Sequence, residues 1–312
     1  MLRYCTYRLT ASLATVLAGA SLIFFMVHLI PGDPVAALLQ DQFTPETAAA
    51  MRVRLGLNRP LVAQYLGFMG NLVTGRLGTS FRSEQPVAHI IAGQFPATAQ
   101  LAAAATVVAV GLGIPLGMAA AIHRGRVLDV LTMGGALLAI CVPSFVLGLG
   151  LLLVFSFELG WFPMLGGGTG GPLDTVRGLV LPALVLGLRT GALLSRISRS
   201  SLLNVLGLDF VRTARAKGAT RRSVLYRHAL RNSLLPVITI LGVTVGHLLA
   251  GTAIVEVVFS RPGIGKLLVD AVLARDLPQI QGTLVVFLVI VIVVNALVDI
   301  AYSLVDPRIA YA

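Results

Sequence analysis

Charge is what this chain has least of. Of its 312 residues only 12% are Asp, Glu, Lys or Arg, whereas 56% are hydrophobic and the mean hydropathy is +0.90. An ordinary soluble domain is about 25% charged. Here uncharged stretches of about twenty residues recur, the length a bilayer demands, so a soluble fold is excluded. Cysteine is nearly absent too: Cys5 lies near the start and Cys141 inside an apolar segment, so a bridge would have to join a membrane surface to a membrane interior. The five histidines, at 28, 89, 123, 228 and 247, show no metal-ligand spacing and no cysteine clusters with them, so no metal site is expected. No Gly-x4-Gly-Lys-Ser/Thr motif occurs, because Pro262-Gly-Ile-Gly-Lys266 runs into Leu267, and the chain is expected to bind no nucleotide. Gly166, Gly168 and Gly171 satisfy a dinucleotide spacing, but Pro172 follows and no strand precedes. A nucleophile paired with a base is also missing, so the chain itself is not expected to be an enzyme.

What is present is length in apolar runs. Six spans are predicted, at about 9–30, 97–122, 130–157, 178–198, 233–255 and 279–299, giving an all-α membrane protein. The first run, Leu9 to Ile30, follows Arg3 and Arg8 and is too long for a signal peptide, so it reads as a retained span. Pro96 is expected to open the second helix and Pro236 to sit in the first turn of the fifth, while Pro115 and Pro143 lie deeper and should kink theirs. Gly113/Gly117, Gly187/Gly191 and Gly242/Gly246 provide the small-residue spacing by which helices pack closely in lipid.

The formal charge of +11 would suggest nucleic acid in a soluble protein. In a membrane protein basic residues first mark cytoplasmic loops. From Arg189 to Arg231 stand Arg189, Arg196, Arg199, Arg212, Arg215, Lys217, Arg221, Arg222, Arg227 and Arg231 against the single acid Asp209. That loop is therefore expected inside, which with six spans puts both termini in the cytoplasm, in agreement with Arg3, Arg8, Arg124, Arg126 and Arg308. Residues 31–96 are not strongly basic and hold helix-like stretches around Thr47 to Leu55 and Val62 to Thr74, so a small folded cap is expected on the outer face. The predicted organisation is 1–30 as first span, 31–96 as extracytoplasmic cap and 97–312 as core, with 199–232 as a cytoplasmic loop.

That loop reads as two short amphipathic helices broken at Gly218, where a glycine frees the backbone to turn. Phe210, Val211 and Ala214 form an apolar side, with Arg212 and Arg215 three apart on another. A solvated basic loop that only enforces topology, or rests on anionic lipid, is the alternative that charge alone would favour.

The run Thr213-Ala-Arg-Ala-Lys-Gly218-Ala219, followed by Arg221-Arg222 and His228-Ala-Leu-Arg-Asn232, resembles the cytoplasmic loop of ABC importer permeases of the dipeptide, oligopeptide and nickel group. Gly32-Asp-Pro34, Leu55-Gly-Leu-Asn-Arg-Pro-Leu61, Gly75-Arg-Leu-Gly-Thr-Ser80, Val142-Pro-Ser-Phe145, Phe259-Ser-Arg-Pro-Gly-Ile-Gly265, Arg275-Asp276 and Asp306-Pro-Arg308 extend the likeness to the B-type subunit over essentially the whole chain. Arg212-Thr-Ala214 stands where the broader permease pattern has Glu-Ala-Ala, and Leu235-Pro236 comes later than in that pattern.

The resemblance implies a type I ABC importer permease (MetI-like) fold in the bacterial inner membrane. It also implies a homologous C-type permease, two ATP-binding domains that use ATP and Mg, and an extracytoplasmic substrate-binding protein as partners, with no cofactor in this chain. Asp209, Arg212, Thr213, Ala214, Arg215, Ala216, Lys217, Gly218, Ala219, Arg221 and Arg222 would then dock on the ATPase. Arg189, His247, Glu256 and Phe259 are the pathway and gate candidates. Arg189, seven residues before Arg196, either faces the pathway or snorkels to the inner surface. His247 is either bonded to a neighbouring helix or exposed to the pathway. Peptide is the expected cargo, with nickel, glutathione or haem-type cargo as alternatives. A secondary transporter would want intramembrane acid or histidine relays and internal repeats, and neither is seen.

Overall fold

The structure, a computed structural model, describes residues 2–29, 32–39, 43–164 and 171–305. Among the described residues all regular secondary structure is helical, apart from one isolated bridge between Thr79 and Pro86. They fall into two compact units, Met1–Thr98 with Pro262–Val293 and Ala99–Arg261 with Val294–Ala312.

The first unit contains α1 (Leu2–His28), α2 (Pro34–Leu39), α3 (Pro45–Arg54), α4 (Leu61–Val73), the start of α5 (Val87–Ile122), α13 (Ile264–Ala274) and the start of α14 (Leu277–Val305). Helix α3 begins at a capping box in which Thr44 and Thr47 satisfy each other's backbone N–H, with Pro45 in the first turn. The helix-like stretches expected around 47–55 and 62–74 are thus α3 and α4. Val27, Ala271 and Ile280 form one core, and Val87, Ile91, Ile264 and Phe287 another. Phe24 packs on Tyr65 and Phe68 with ring centroids 5.4 and 5.5 Å apart, joining α1 to α4.

The second unit holds the remainder of α5 and α14, together with α6 (Val127–Cys141), α7 (Ser144–Leu151) and its π-helical continuation Leu152–Glu158, and α8 (Pro172–Leu206). It also contains α9 (Asp209–Ala216), α10 (Arg221–Ser223) with the π-helical turn Val224–Ala229, α11 (Leu230–Gly251) and α12 (Ala253–Val258). Between α6 and α7 the chain bends by 104°, with Val142 extended (φ −73°, ψ 124°) before Pro143. That is the break expected at Pro143, since proline removes an N–H and forces its predecessor out of the helical region. The glycine pairs act as packing surfaces: a Cβ on Gly113 would meet the Gly191 backbone oxygen at 2.5 Å, and one on Gly187 would meet Val108 at 2.6 Å. Helices α5 and α8 therefore touch backbone to backbone.

Among the described residues four helices are long and apolar enough to cross a membrane, Thr10–His28, Val87–Ile122, Leu173–Leu206 and Leu277–Val298, and the bent pair Val127–Cys141 and Ser144–Glu158 makes a fifth when counted as one span. The fifth predicted span, 233–255, falls on α11 and α12, of which Leu230–Thr244 is apolar but shorter than a full crossing among the described residues.

Two proline expectations need correction. Helix α5 starts at Val87, so Pro96 lies well inside it. Val87 and Ile91, at most 4% exposed, pack on Ile264 and Phe287 and stabilise the extra turns. Pro236 likewise lies inside a helix, because the second half of the basic loop runs without interruption into α11. Helix α5 also continues through Pro115.

Candidate functional site

The loop between α8 and α11 is built around one short helix and a defined stop. Asp209 occupies the first turn of α9 and Arg215 the last, both favourable to the helix dipole. At its C-terminus Ala219 N–H donates to the Ala214 carbonyl at 3.1 Å and Gly218 N–H to the Arg215 carbonyl at 3.0 Å, with Gly218 at φ +84°. These two bonds make a Schellman motif, whose left-handed position is a glycine because a Cβ there strains the backbone. Thr220 then caps the next helix, its hydroxyl accepting from Ser223 N–H at 3.3 Å. Gly218 therefore ends one helix and lets another begin at Arg221.

The loop's inner side is anchored. Val211 and Ala229 are fully buried, and Ala229 and Leu225 pack on Leu202, Val205 and Leu206 of α8 and on Ala121 of α5. Ser201 donates to the Ser233 carbonyl at 2.8 Å. Its outer side offers Leu208, Phe210 and Tyr226, exposed by 50%, 41% and 55%, amid exposed Arg212, Thr213, Arg215, Ala216, Lys217 and Arg222. Phe210 thus parts from Val211 and the half-buried Ala214, with which it was expected to share one apolar side. The one acid on α9, Asp209, meets Arg212 at 3.4 Å with both side chains in solvent, a contact of little energetic weight. Arg221 lies on α10, but its side chain is outside the described residues.

Close to this loop the sequence reading missed Asp129, which is buried and holds Arg199 through two bonds of 2.6 and 2.8 Å while accepting Gly125 N–H at 3.0 Å. The Asp129 carboxylate pins the short turn after α5 to α8. A visible sign was that it is the sole acid beside Arg124 and Arg126.

Among the pathway candidates, Glu256 is fully buried on α12 and Phe259 is 4% exposed, packed among Leu101, Val185 and Val255. Arg261 is also buried, and its guanidinium reaches Gln100 at 3.4 Å. Burial pushes the Arg261 pKa down, and the charge of Glu256 works against that shift. His247 lies on α11 with its side chain outside the described residues. Arg189, at the middle of α8, is exposed and lines a cleft of about 470 Å³ together with Ile140, Ser144, Val185, Thr190 and Thr244.

The first unit contains a node that no candidate residue anticipated. Asp276 is 3% exposed and accepts Ser80 Oγ at 2.5 Å and the backbone N–H groups of Phe81, Arg82 and Gln279 at 3.1, 3.3 and 3.2 Å. One carboxylate therefore both caps α14 and holds the turn at 80–82. Ser80 and Asp276 belong to two of the motifs quoted above, 196 residues apart, and nothing in the sequence paired them.

A chain with several apolar crossings, a proline-broken helix and a structured basic connector is a polytopic membrane protein. It belongs to the family of binding-protein-dependent transport system inner membrane components, whose model matches residues 113–311, and the N-terminal model of such membrane components matches residues 1–102. It is therefore a multi-pass inner-membrane component of a transport system. The chain is 40% identical to the di/tripeptide transport system permease protein DppB of Pseudomonas aeruginosa, with 100% of this chain and 99% of that protein covered. It is 39% identical to the glutathione transport system permease protein GsiC of Salmonella typhimurium over the full length of both. In fold it is similar to a chain of the inward-facing MetNI methionine ABC transporter, with a TM-score of 0.57, 14% identity, and coverage of 70% of this chain and 96% of that one.

Proposed function

We propose that this chain is the B-type membrane-spanning subunit of an ATP-driven importer for di- and oligopeptides. It forms half of the pathway beside a homologous C-type permease, with two ATP-binding domains inside and a substrate-binding protein outside. Full-length similarity to a di/tripeptide permease and to a glutathione permease supports this cargo, glutathione being itself a small peptide.

The observation that carries the coupling role is the loop's division of labour. Its apolar residues Leu225 and Ala229 bind it to α8 and α5 and Val211 is buried, while its Schellman turn presents Leu208, Phe210 and Tyr226 among exposed cations to the outside. A purely topological or lipid-facing loop has no need of a defined turn. On this reading the face from Asp209 to Arg222 docks in a groove of the ATPase with acidic edges, and closure of two ATPases on ATP and Mg rotates the attached helices. The loop transmits and does not catalyse.

The test is the complete transporter in proteoliposomes. Gly218→Pro cannot adopt φ +84°, and Ala216→Asp places an acid on the exposed face. Each should leave ATP hydrolysis unresponsive to loaded binding protein and abolish uptake. Normal substrate-stimulated hydrolysis with normal uptake in both would remove the coupling role. Melting-temperature shifts of the co-purifying binding protein with peptides, glutathione, nickel and haem identify the cargo.

A further inference from the structure

Arg189 is placed unlike the other cations of its helix. It stands 17 residues from either end of α8 (Pro172–Leu206), roughly 25 Å along the axis from each. A guanidinium at such depth costs free energy unless water, a partner or a ligand faces it. Among the described residues it makes no ion pair or hydrogen bond, in contrast to Arg199, which Asp129 neutralises. The cleft it lines contains no acid.

The other polar groups in that cleft are hydroxyls. Thr190 is 6% exposed, and neither its hydroxyl nor that of Ser144 bonds to a described residue, while Thr244 donates to the Ile240 carbonyl at 2.6 Å. Ser144 opens α7, directly after the Pro143 break, so the positive end of that helix dipole borders the cleft. The remaining wall is aliphatic: Ile140, Val185, Leu186, Leu193 and Leu248. One cation, two hydroxyls free to donate and an apolar wall make a receptor for a single anionic group on a body that is otherwise not strongly charged. The 470 Å³ available suits a group of a few residues rather than a bare ion.

We infer that Arg189, with Ser144 and Thr190, forms a way-station that receives the terminal carboxylate of the peptide in transit. Planar guanidinium and planar carboxylate match as a two-point pair, while the hydroxyls accommodate the carboxylate's remaining lone pairs. Because the cleft has one cation and no acid, it engages the carboxyl end of the cargo and leaves the ammonium end to other groups. This assignment rests on peptide being the cargo.

The test uses the complete transporter in proteoliposomes with its binding protein saturated. Uptake per ATP hydrolysed is measured for a tripeptide and for its C-terminal amide, in wild type, Arg189→Gln and Arg189→Lys. Arg189→Gln should lose roughly tenfold or more for the free acid, as expected for removing a hydrogen bond to a charged group, while amide uptake changes little. Arg189→Lys should recover part of the acid's rate. An unchanged acid-to-amide ratio in Arg189→Gln overturns the site. Where the binding protein does not hold the amide, the acid alone decides: Lys faster than Gln supports the site, and equal rates in the two variants overturn it. Wild-type transporter that moves no peptide at all refutes instead the peptide reading on which the assignment rests.

Discussion

The turn at residues 80–82 and the loop at 209–231 are both short connectors rich in polar groups, yet they are built on opposite principles. In the first, one buried carboxylate collects four donors, and nothing of Asp276 is left over for another molecule. In the second, the backbone is satisfied by its own Schellman and capping bonds, and the charged side chains stay in water. A connector whose polar groups are consumed internally holds the fold together. One that closes its backbone locally and keeps its cations free is prepared for a partner. The comparison shows why charge density alone misleads: Asp276 matters most to its unit and carries one charge, whereas the basic loop hardly needs its charges to fold.

The sharpest way to break this contrast is Asp276→Ala. It strips an acceptor from four donors, two of them buried or partly buried backbone N–H groups of the turn, and should cost about 3 kcal/mol in the first unit. Limited proteolysis near residues 80–86 and a lower melting temperature would register it. An unaltered cleavage pattern would mean that the turn is held by something else.

Gly218→Ala is the matching change in the loop. A Cβ there meets nothing within 4 Å, so the whole cost is conformational, about 1 kcal/mol at φ +84°. Melting temperature should fall by only about 2 to 4 °C, because few tertiary contacts depend on the turn, while uptake per ATP falls several-fold. A fall in stability without loss of coupling would reverse the roles assigned to the two connectors.

The smallest effect concerns an exposed pair in the first unit. Burial alone would raise the Asp33 pKa, but the Arg52 guanidinium at 2.5 Å and the Val35 N–H outweigh it and hold the carboxyl below the ordinary aspartate value of 3.8. A depressed pKa contributes stability that is full above the unfolded value and disappears as pH falls through the folded one. Acidification below about pH 4 should therefore remove a small increment from wild type that Asp33→Asn lacks. Identical acid-unfolding profiles would show that the pair contributes nothing.

Much of the membrane architecture was legible because hydrophobic length is a one-dimensional quantity. The crossings at 9–30, 97–122, 130–157, 178–198 and 279–299 coincide with apolar helices or the bent pair, and the break at Pro143 follows from proline's missing N–H. Helix starts were less legible, since Val87 and Ile91 extend α5 past Pro96 through packing on Ile264 and Phe287, far along the chain. Gly218 announced a turn, but its Schellman bonds and the outward direction of Phe210 depend on where the loop sits.

Composition and residue order by themselves determined that this is a polytopic helical membrane protein with one strongly basic, glycine-broken connector, because bilayer thickness and backbone sterics act on short stretches of chain. Only tertiary structure decided that Asp129 would neutralise Arg199 and leave Arg189 alone in a cleft, that Phe259 would be core, and that Ser80 would meet Asp276. Pairings of that kind bring together residues tens to hundreds of positions apart, and which partner a buried polar group finds is settled by how the helices pack.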